Sequence, residues 1–285
     1  AVYDEIPAYN YLINQNTQDL GLFLQSDWAL LPNLNLLSGC RVDAHNLVDE
    51  LIWSPRVSLL YKLKKNTQLR LSYGTGFRAP QAFDTDLHIA FAGGGISRVT
   101  LAPDLEEENS ESWSASINYD RPFDKFIIGF TLEGFRTNLK NAFFLQPNGA
   151  DDFGLLFEKQ NGQGAIVEGL TFELRSNYNR KVQLESGYTI QTNEFQNPVE
   201  YIEGVAPIKR FIRTPNDYGF AVLTINPNQH FSLNLNYVYT GRMLVPHFAG
   251  APNQTTDEIV NVDSFSNFSF RFSYATELKK SKMII

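Results

Sequence analysis

The sequence predicts an all-β protein, an antiparallel transmembrane β-barrel of which about eleven to twelve strands are present. Three observations carry that prediction. Polar and apolar residues alternate with period two through many segments. The connections between those segments alternate short and long. Aromatic residues reach 13% of the 285, with 22 Phe, 13 Tyr and 3 Trp, a level that suits broad sheet surfaces and the aromatic belts of membrane interfaces.

Side chains of a strand point alternately to opposite faces, so a sheet between two solvents must segregate them. In chain order, a first strand falls at about 18 to 30. Leu69, Leu71 and Tyr73 then oppose Gln68, Arg70 and Ser72; Trp113, Ala115, Ile117 and Tyr119 oppose Ser112, Ser114, Ser116 and Asn118. Val182, Leu184, Tyr188 and Ile190 oppose Gln183, Glu185, Thr189 and Gln191. Phe231, Leu233, Leu235, Tyr237 and Tyr239 face away from Ser232, Asn234, Asn236 and Val238. Last, Phe268, Phe270, Phe272 and Tyr274 oppose Ser269, Arg271 and Ser273, and Ser281 to Ile285 starts a twelfth strand.

Tight turns read at Leu31-Pro32-Asn33, Lys64-Lys65-Asn66, Asp120 to Asp124, Tyr178 to Lys181 and Asn226 to Gln229, rich in Pro, Asn and charged residues. Longer connections read at 44 to 52, 76 to 109, 146 to 153, 195 to 213 and 244 to 262. In outer-membrane barrels short turns face the periplasm and long loops face outside. The strand at 18 to 30 therefore descends, and the parity holds to the strand at 263 to 276 without a skipped strand.

A soluble sandwich would bury its aromatic face against a second sheet with strands of about five or six residues; here many strands run to about ten or more. Lipid cannot satisfy free backbone groups, so a sheet with two bare edges is expected to be part of a larger closed barrel. No run approaches the roughly 20 apolar residues of a membrane helix. The net charge of −7 and pI of about 5.2 leave no electrostatic footprint for a nucleic-acid partner. Cys40 is the sole cysteine, so neither an intrachain disulfide nor a cysteine-based zinc site forms within these residues. Ala1 to Asn10 lacks the basic and apolar regions of a signal peptide. No Gly-x-Ser-x-Gly elbow, phosphate-binding loop, zinc-protease motif or dinucleotide fingerprint occurs, so the sequence predicts no enzyme, cofactor or metal centre.

The most specific stretch is Tyr73-Gly74-Thr75-Gly76-Phe77-Arg78-Ala79-Pro80. The glycines permit a bend where a strand leaves the membrane, and Pro80 ends ladder pairing for want of an N–H. The segment resembles the strand-to-loop motif of TonB-dependent outer-membrane receptors. Leu37 to Asp43, Glu108 to Ser112, Arg213-Thr214-Pro215-Asn216 and Tyr239-Thr240-Gly241 resemble other parts of the same barrels, with Cys40 where an apolar residue is more usual. The resemblance spans nearly the whole chain. It implies a barrel of about 22 strands plugged by an N-terminal domain, of which residues 1–285 are a partial barrel domain at about strands ten to twenty-one, without plug, TonB-contacting box or final strand.

By the same resemblance, the full protein takes up a scarce small-molecule or metal-chelate ligand such as an iron–siderophore, haem or cobalamin. Its partners are outer-membrane lipid and, through the plug and box, the TonB complex. Arg78, His88 and Phe91 in the longest connection are the candidate ligand contacts, with Gly93, Gly94 and Gly95 at a loop tip; the motif residues Tyr73 to Pro80 are assigned to structure. The acidic cluster Asp104, Glu106, Glu107, Glu108 and Glu111 fits no calcium-loop spacing and reads as a solvated face. His45, His230 and His247 are scattered. Arg41, Arg56, Arg70, Arg136, Arg175 and Arg271, with Glu133, Glu173 and Glu185, are expected mainly on the lumen face, where charges pair in water. Two other readings stay open from the residues: a plug-free outer-membrane channel, and a soluble secreted solenoid or sandwich that binds carbohydrate.

Overall fold

A computed structural model describes residues 2–6, 11–81, 98–152, 154–250, 255–278 and 281–284. In chain order the strands are β1 (Val2–Ile6), β2 (Tyr11–Gln15), β3 (Asp19–Leu31), β4 (Leu34–His45), β5 (Ile52–Lys64), β6 (Thr67–Arg78) and β7 (Arg98–Leu101). They continue as β8 (Glu108–Pro122), β9 (Phe126–Lys140), β10 (Phe143–Asp151), β11 (Gly154–Asn161), β12 (Ala165–Tyr178) and β13 (Val182–Val199). The remainder are β14 (Ile208–Arg210), β15 (Asp217–Asn228), β16 (Phe231–Thr240), β17 (Met243–His247), β18 (Glu258–Val262), β19 (Phe265–Leu278) and β20 (Ser281–Ile284).

One long antiparallel sheet runs β3-β4-β5-β6-β8-β9-β12-β13-β15-β16-β19-β20, with β14 attached to β13. Every neighbour along that path is the next long strand in sequence, an up-and-down meander as the parity of the connections predicts. Among the described residues the sheet does not close: β3 and β20 are its edges. The short turns lie at 32–33, 65–66, 123–125, 179–181 and 229–230. Register shifts at Ala29/Leu31, Lys62/Lys64 and Ile225/Asn228 sit beside three of them, where an extra residue sharpens the local twist.

Paired residues share a face, so the register defines two surfaces. One row reads Leu34, Tyr61, Leu69, Ile117, Leu132, Phe172 and Tyr188. The opposite face carries hydroxyl and amide ladders: Ser58 Oγ to Ser72 Oγ, Ser112 Oγ to Thr137 Oγ1 and Thr171 Oγ1 to Thr189 Oγ1, each 2.9 Å, and Asn118 Nδ2 donating to Thr131 Oγ1 at 2.9 Å. Ser58 and Thr189 keep only 8% and 5% exposure, whereas Leu170 and Phe270 keep 60% and 71%. The sheet therefore curls toward its polar face, which is the lumen side, and turns its apolar face outward.

Two arginines of the lumen face pair with carboxylates beside them. Arg41 Nε donates to both carboxylate oxygens of fully buried Asp43, at 2.7 and 2.8 Å. Arg175 bridges Asp120 and Glu173, each at 3.4 Å. Arg136 departs from the expectation. It stands in register with Trp113 and Glu168 on the outward face and holds Glu168 at 2.9 Å. The physical reason is parity: Glu133 faces the lumen, and a residue three positions on must face away.

The upper connections also depart from plain loops. The stretch expected at 146–153 is the tip of the β10–β11 hairpin, and the one expected at 244–262 holds the β17–β18 hairpin. Within the stretch expected at 76–109, β6 continues to Arg78 opposite Glu108, and β7 pairs parallel with β11. In the stretch expected at 195–213, β13 runs on to Val199 and β14 folds back on it.

Candidate functional site

The outer connections of 79–107, 141–164, 200–216 and 241–264 are joined in series. The parallel ladder of β7 on β11 pairs Leu156 with Arg98 and Lys159 with Leu101. Asn141 Nδ2 donates to Glu106 Oε2 at 3.0 Å, Asn161 Nδ2 to the Glu106 carbonyl at 3.1 Å, and the Phe143 N–H to Glu108 Oε2 at 2.9 Å. Two of the five acids of the cluster, Glu106 and Glu108, thus tie connections together. A small apolar core of Ala142, Ala165, Phe195 and Val199, with Phe144, Tyr201 and Phe211 against it, joins the β10–β11 hairpin to 200–216. Phe195 and Phe211 rings lie 4.5 Å apart. The Arg213 N–H donates to the Leu244 carbonyl at 2.6 Å, beside the parallel bridge of Ile212 with Leu244, and carries the join to β17.

In that core, burial pushes the Tyr201 phenol well above its ordinary pKa, while its hydroxyl donates to the Arg210 carbonyl at 3.3 Å. Asn193, 3% exposed below the same core, has neither side-chain end hydrogen-bonded.

The motif residues divide by face. Tyr73 points outward and meets Trp113, ring centroids 4.5 Å apart, an upper aromatic girdle. Gly74, Gly76 and Arg78 share the lumen face with Ser72 and Arg70. The ladder runs unbroken through both glycines, neither of which has a positive φ. They make no bend; they leave the inner wall bare of side chains. Phe77 pairs with Asn109, and Ala79 and Pro80 are buried.

Arg78 is exposed at the top of this wall, its guanidinium carbon 5.0 Å from the centroid of the Phe143 ring. Lys159 Nζ lies 4.5 Å from the same ring, and Lys159 is almost wholly buried. Both cations lie within cation–π reach of the one ring, each such contact worth about 0.5–2 kcal/mol. The arrangement sets two cationic side chains against one ring beside the mouth of the lumen, Arg78 being the exposed one. His88, Phe91 and Gly93 to Gly95 lie outside the described residues. His45 is buried, its Nδ1 accepting the Leu47 N–H at 3.2 Å, and His230 Nδ1 lies 3.0 Å from the Ala275 carbonyl beside a short turn. Among the described residues no three His, Cys, Asp or Glu side chains converge as a metal site. Phe143 and Lys159 escaped sequence reasoning, because only the fold of the β10–β11 hairpin brings them to Arg78.

The sequence profile described as "TonB dependent receptor-like, beta-barrel" matches residues 2–281. The chain belongs to the TonB-dependent receptor β-barrel family. Barrels of this family lie in the bacterial outer membrane, which places the apolar face against lipid. Among curated proteins no relative matches. Among solved structures, the siderophore receptor PirA from Pseudomonas aeruginosa is similar at 15% identity and a TM-score of 0.66, over 98% of this chain and 46% of that one. The siderophore receptor PirA from Acinetobacter baumannii is similar at 14% identity and a TM-score of 0.64, over 90% and 39%. A mutant ferric enterobactin receptor from Pseudomonas aeruginosa in complex with enterobactin is similar at 18% identity and a TM-score of 0.60, over 90% and 38%. The chain spans less than half the length of these receptors, and at such identities the likeness is one of fold.

Proposed function

We propose that the complete protein is a TonB-dependent transporter for an anionic iron chelate of siderophore type, to which this chain contributes part of the barrel wall and outer connections. On this reading the chain forms about half of a barrel of about 22 strands, and the bare edges at β3 and β20 are completed by further strands of the same protein. An N-terminal plug and TonB-contacting box supply the coupling to the inner membrane. The observation that carries the ligand class is Arg78 at the lumen mouth, sharing the Phe143 ring with Lys159. A charge-assisted contact from such a group contributes about 1.5–3 kcal/mol.

The test is equilibrium binding of radiolabelled ferric siderophores, haem and cobalamin to the complete protein and its Arg78→Ala variant. An anionic ferric siderophore is expected to bind about tenfold or more weakly to the variant. Binding of haem or cobalamin alone, or of a siderophore equally by both proteins, contradicts the assignment.

A further inference from the structure

Above the barrel ladder, β10, β11 and β7 form a separate three-stranded sheet that, among the described residues, pairs with none of β8, β9 and β12. Three described crossings, 102–107, 141–142 and 162–164, join it to those strands. They meet at one level: Asn141 Nδ2 donates to Glu106 Oε2 at 3.0 Å, and Asn161 Nδ2 donates to the carbonyls of Glu106 and Asn141 at 3.1 and 2.9 Å. Two of the crossings turn through the left-handed region, Asn141 at φ 53° and Gly164 at φ 135°. A Cβ on Gly164 would stand 2.7 Å from the Leu139 carbonyl oxygen, so that crossing calls for glycine. Beyond this line the unit packs inward. Ala142 and Phe144 join a core with Ala165, Leu139 and Phe195, three residues that share one row of the lumen face, and Phe143 reaches Arg78.

That seat is thin and carries a defect. Among the described residues its fully buried part is Ala142, Ala165, Phe195 and Val199, two of them alanines. Two residues below Phe195 on the same face, in register with Val167, Asn193 is 3% exposed. Neither its amide nitrogen nor its amide oxygen has a hydrogen-bond partner among the described residues. Buried polar groups are nearly always paired, because an amide taken out of water without a partner loses its hydration and regains nothing. The closed seat therefore sets a small apolar gain against a polar loss, and elements held by so narrow a balance are the ones that open locally.

We infer that β7, β10 and β11 form a lid hinged at Asn141 and Gly164, and that Asn193 beneath it keeps the closed seat marginal, so that the lid opens while the barrel stays folded. Opening bares the Asn193 amide to water and carries Phe143 and Lys159 away from Arg78. Closing brings them back, so the rim contact proposed for the ligand is complete only with the lid shut. A ligand held by that contact stabilises the shut position. This last step rests on the uptake reading; the hinge and the role of Asn193 do not.

The experiment places a reporter thiol under the lid of the complete protein. Ala165, wholly buried in the seat, is replaced by cysteine in a background otherwise free of cysteine that includes Cys40→Ser, Cys40 being on the outward face in register with Leu24 and Pro55. The rate of modification by methyl methanethiosulfonate, a small neutral reagent, is followed, and heat-modifiable mobility reports whether the barrel is folded. The thiol is expected to react while the barrel is still folded, a readout that needs no substitution of Asn193. Reaction only as the barrel unfolds overturns the lid. Asn193→Leu, an apolar side chain of similar size, is expected to slow the reaction about tenfold by favouring the shut position. An unchanged or faster reaction in the folded variant, as when a water satisfies the amide, overturns the role of Asn193. A bound trianionic ferric tris-catecholate is expected to slow the reaction as well, and binding that leaves the rate unchanged overturns closure on the ligand. Failure of that chelate to bind, with the effect of Asn193→Leu intact, supports the lid and refutes the iron assignment.

Discussion

Replacing Phe270 by lysine tests which face of the sheet meets lipid. Phe270 lies on the outward face in register with Leu235, Leu223 and Leu184. It stands four residues above the Phe231–Tyr274 pair that adjoins the turn at 229–230. That is about 13 Å along the strand and about 10 Å along the membrane normal for a tilt near 40°. Phe231, Phe272 and Tyr274 mark the lower aromatic girdle, with the Phe231 and Phe272 rings 4.9 Å apart, so Phe270 falls near the middle of an apolar band about 25 Å tall. A lysine at that depth costs about 2–4 kcal/mol, or about 30- to 700-fold in the folding equilibrium. Ser269→Lys, one residue away on the lumen face, is expected to cost less than about 0.5 kcal/mol. Urea titration of the complete barrel refolded in phospholipid vesicles measures both. Equal destabilisation by the two substitutions, or a larger one at Ser269, refutes the facing.

Phe211→Ala removes a ring from the core joining 141–164 to 200–216 and is expected to cost that region about 3 kcal/mol; hydrogen exchange should quicken at 200–216 and in β17 while β4 to β9 stay protected. Arg136→Gln should lower barrel stability more than the double variant Arg136→Gln with Glu168→Gln, since the single change strands one charge at the lipid interface; the same urea titration detects the reversal. The raised pKa of Tyr201 makes its stabilising effect complete below the unfolded tyrosine pKa. It is lost as pH rises toward the higher folded value. The 200–216 connection should accordingly loosen above about pH 10, and Tyr201→Phe should remove that dependence when proteolysis of the connection is followed against pH.

The long strands were legible because each must satisfy two different solvents, and Phe268 to Tyr274 or Trp113 to Tyr119 record that requirement at every residue. The short turns were legible for their Pro and Asn content. The outer connections were not: β10, β11, β17 and β18 meet water and one another, so no single alternation marks them, and the parallel pairing of β7 with β11 joins residues 58 positions apart. Arg136 was assigned to the lumen by residue type, although counting three from Glu133 sets it outside. Gly74 and Gly76 read as a bend from composition alone; only the unbroken register shows that they clear the inner wall. Arg78 was singled out in sequence, whereas its partners Phe143 and Lys159 belong to a hairpin whose position no local pattern records.

The serial joining of the outer connections also directs where the chain can change length. An insertion in β7, in β11 or between Ile212 and Leu244 would shift a register that two connections share, and its effect would spread along the rim. Among the described residues, the hairpin ends at 148–152 and 248–250 bear no such shared ladder. They are the places where the outer connections can change length, or take an epitope tag, while the joined rim keeps its register.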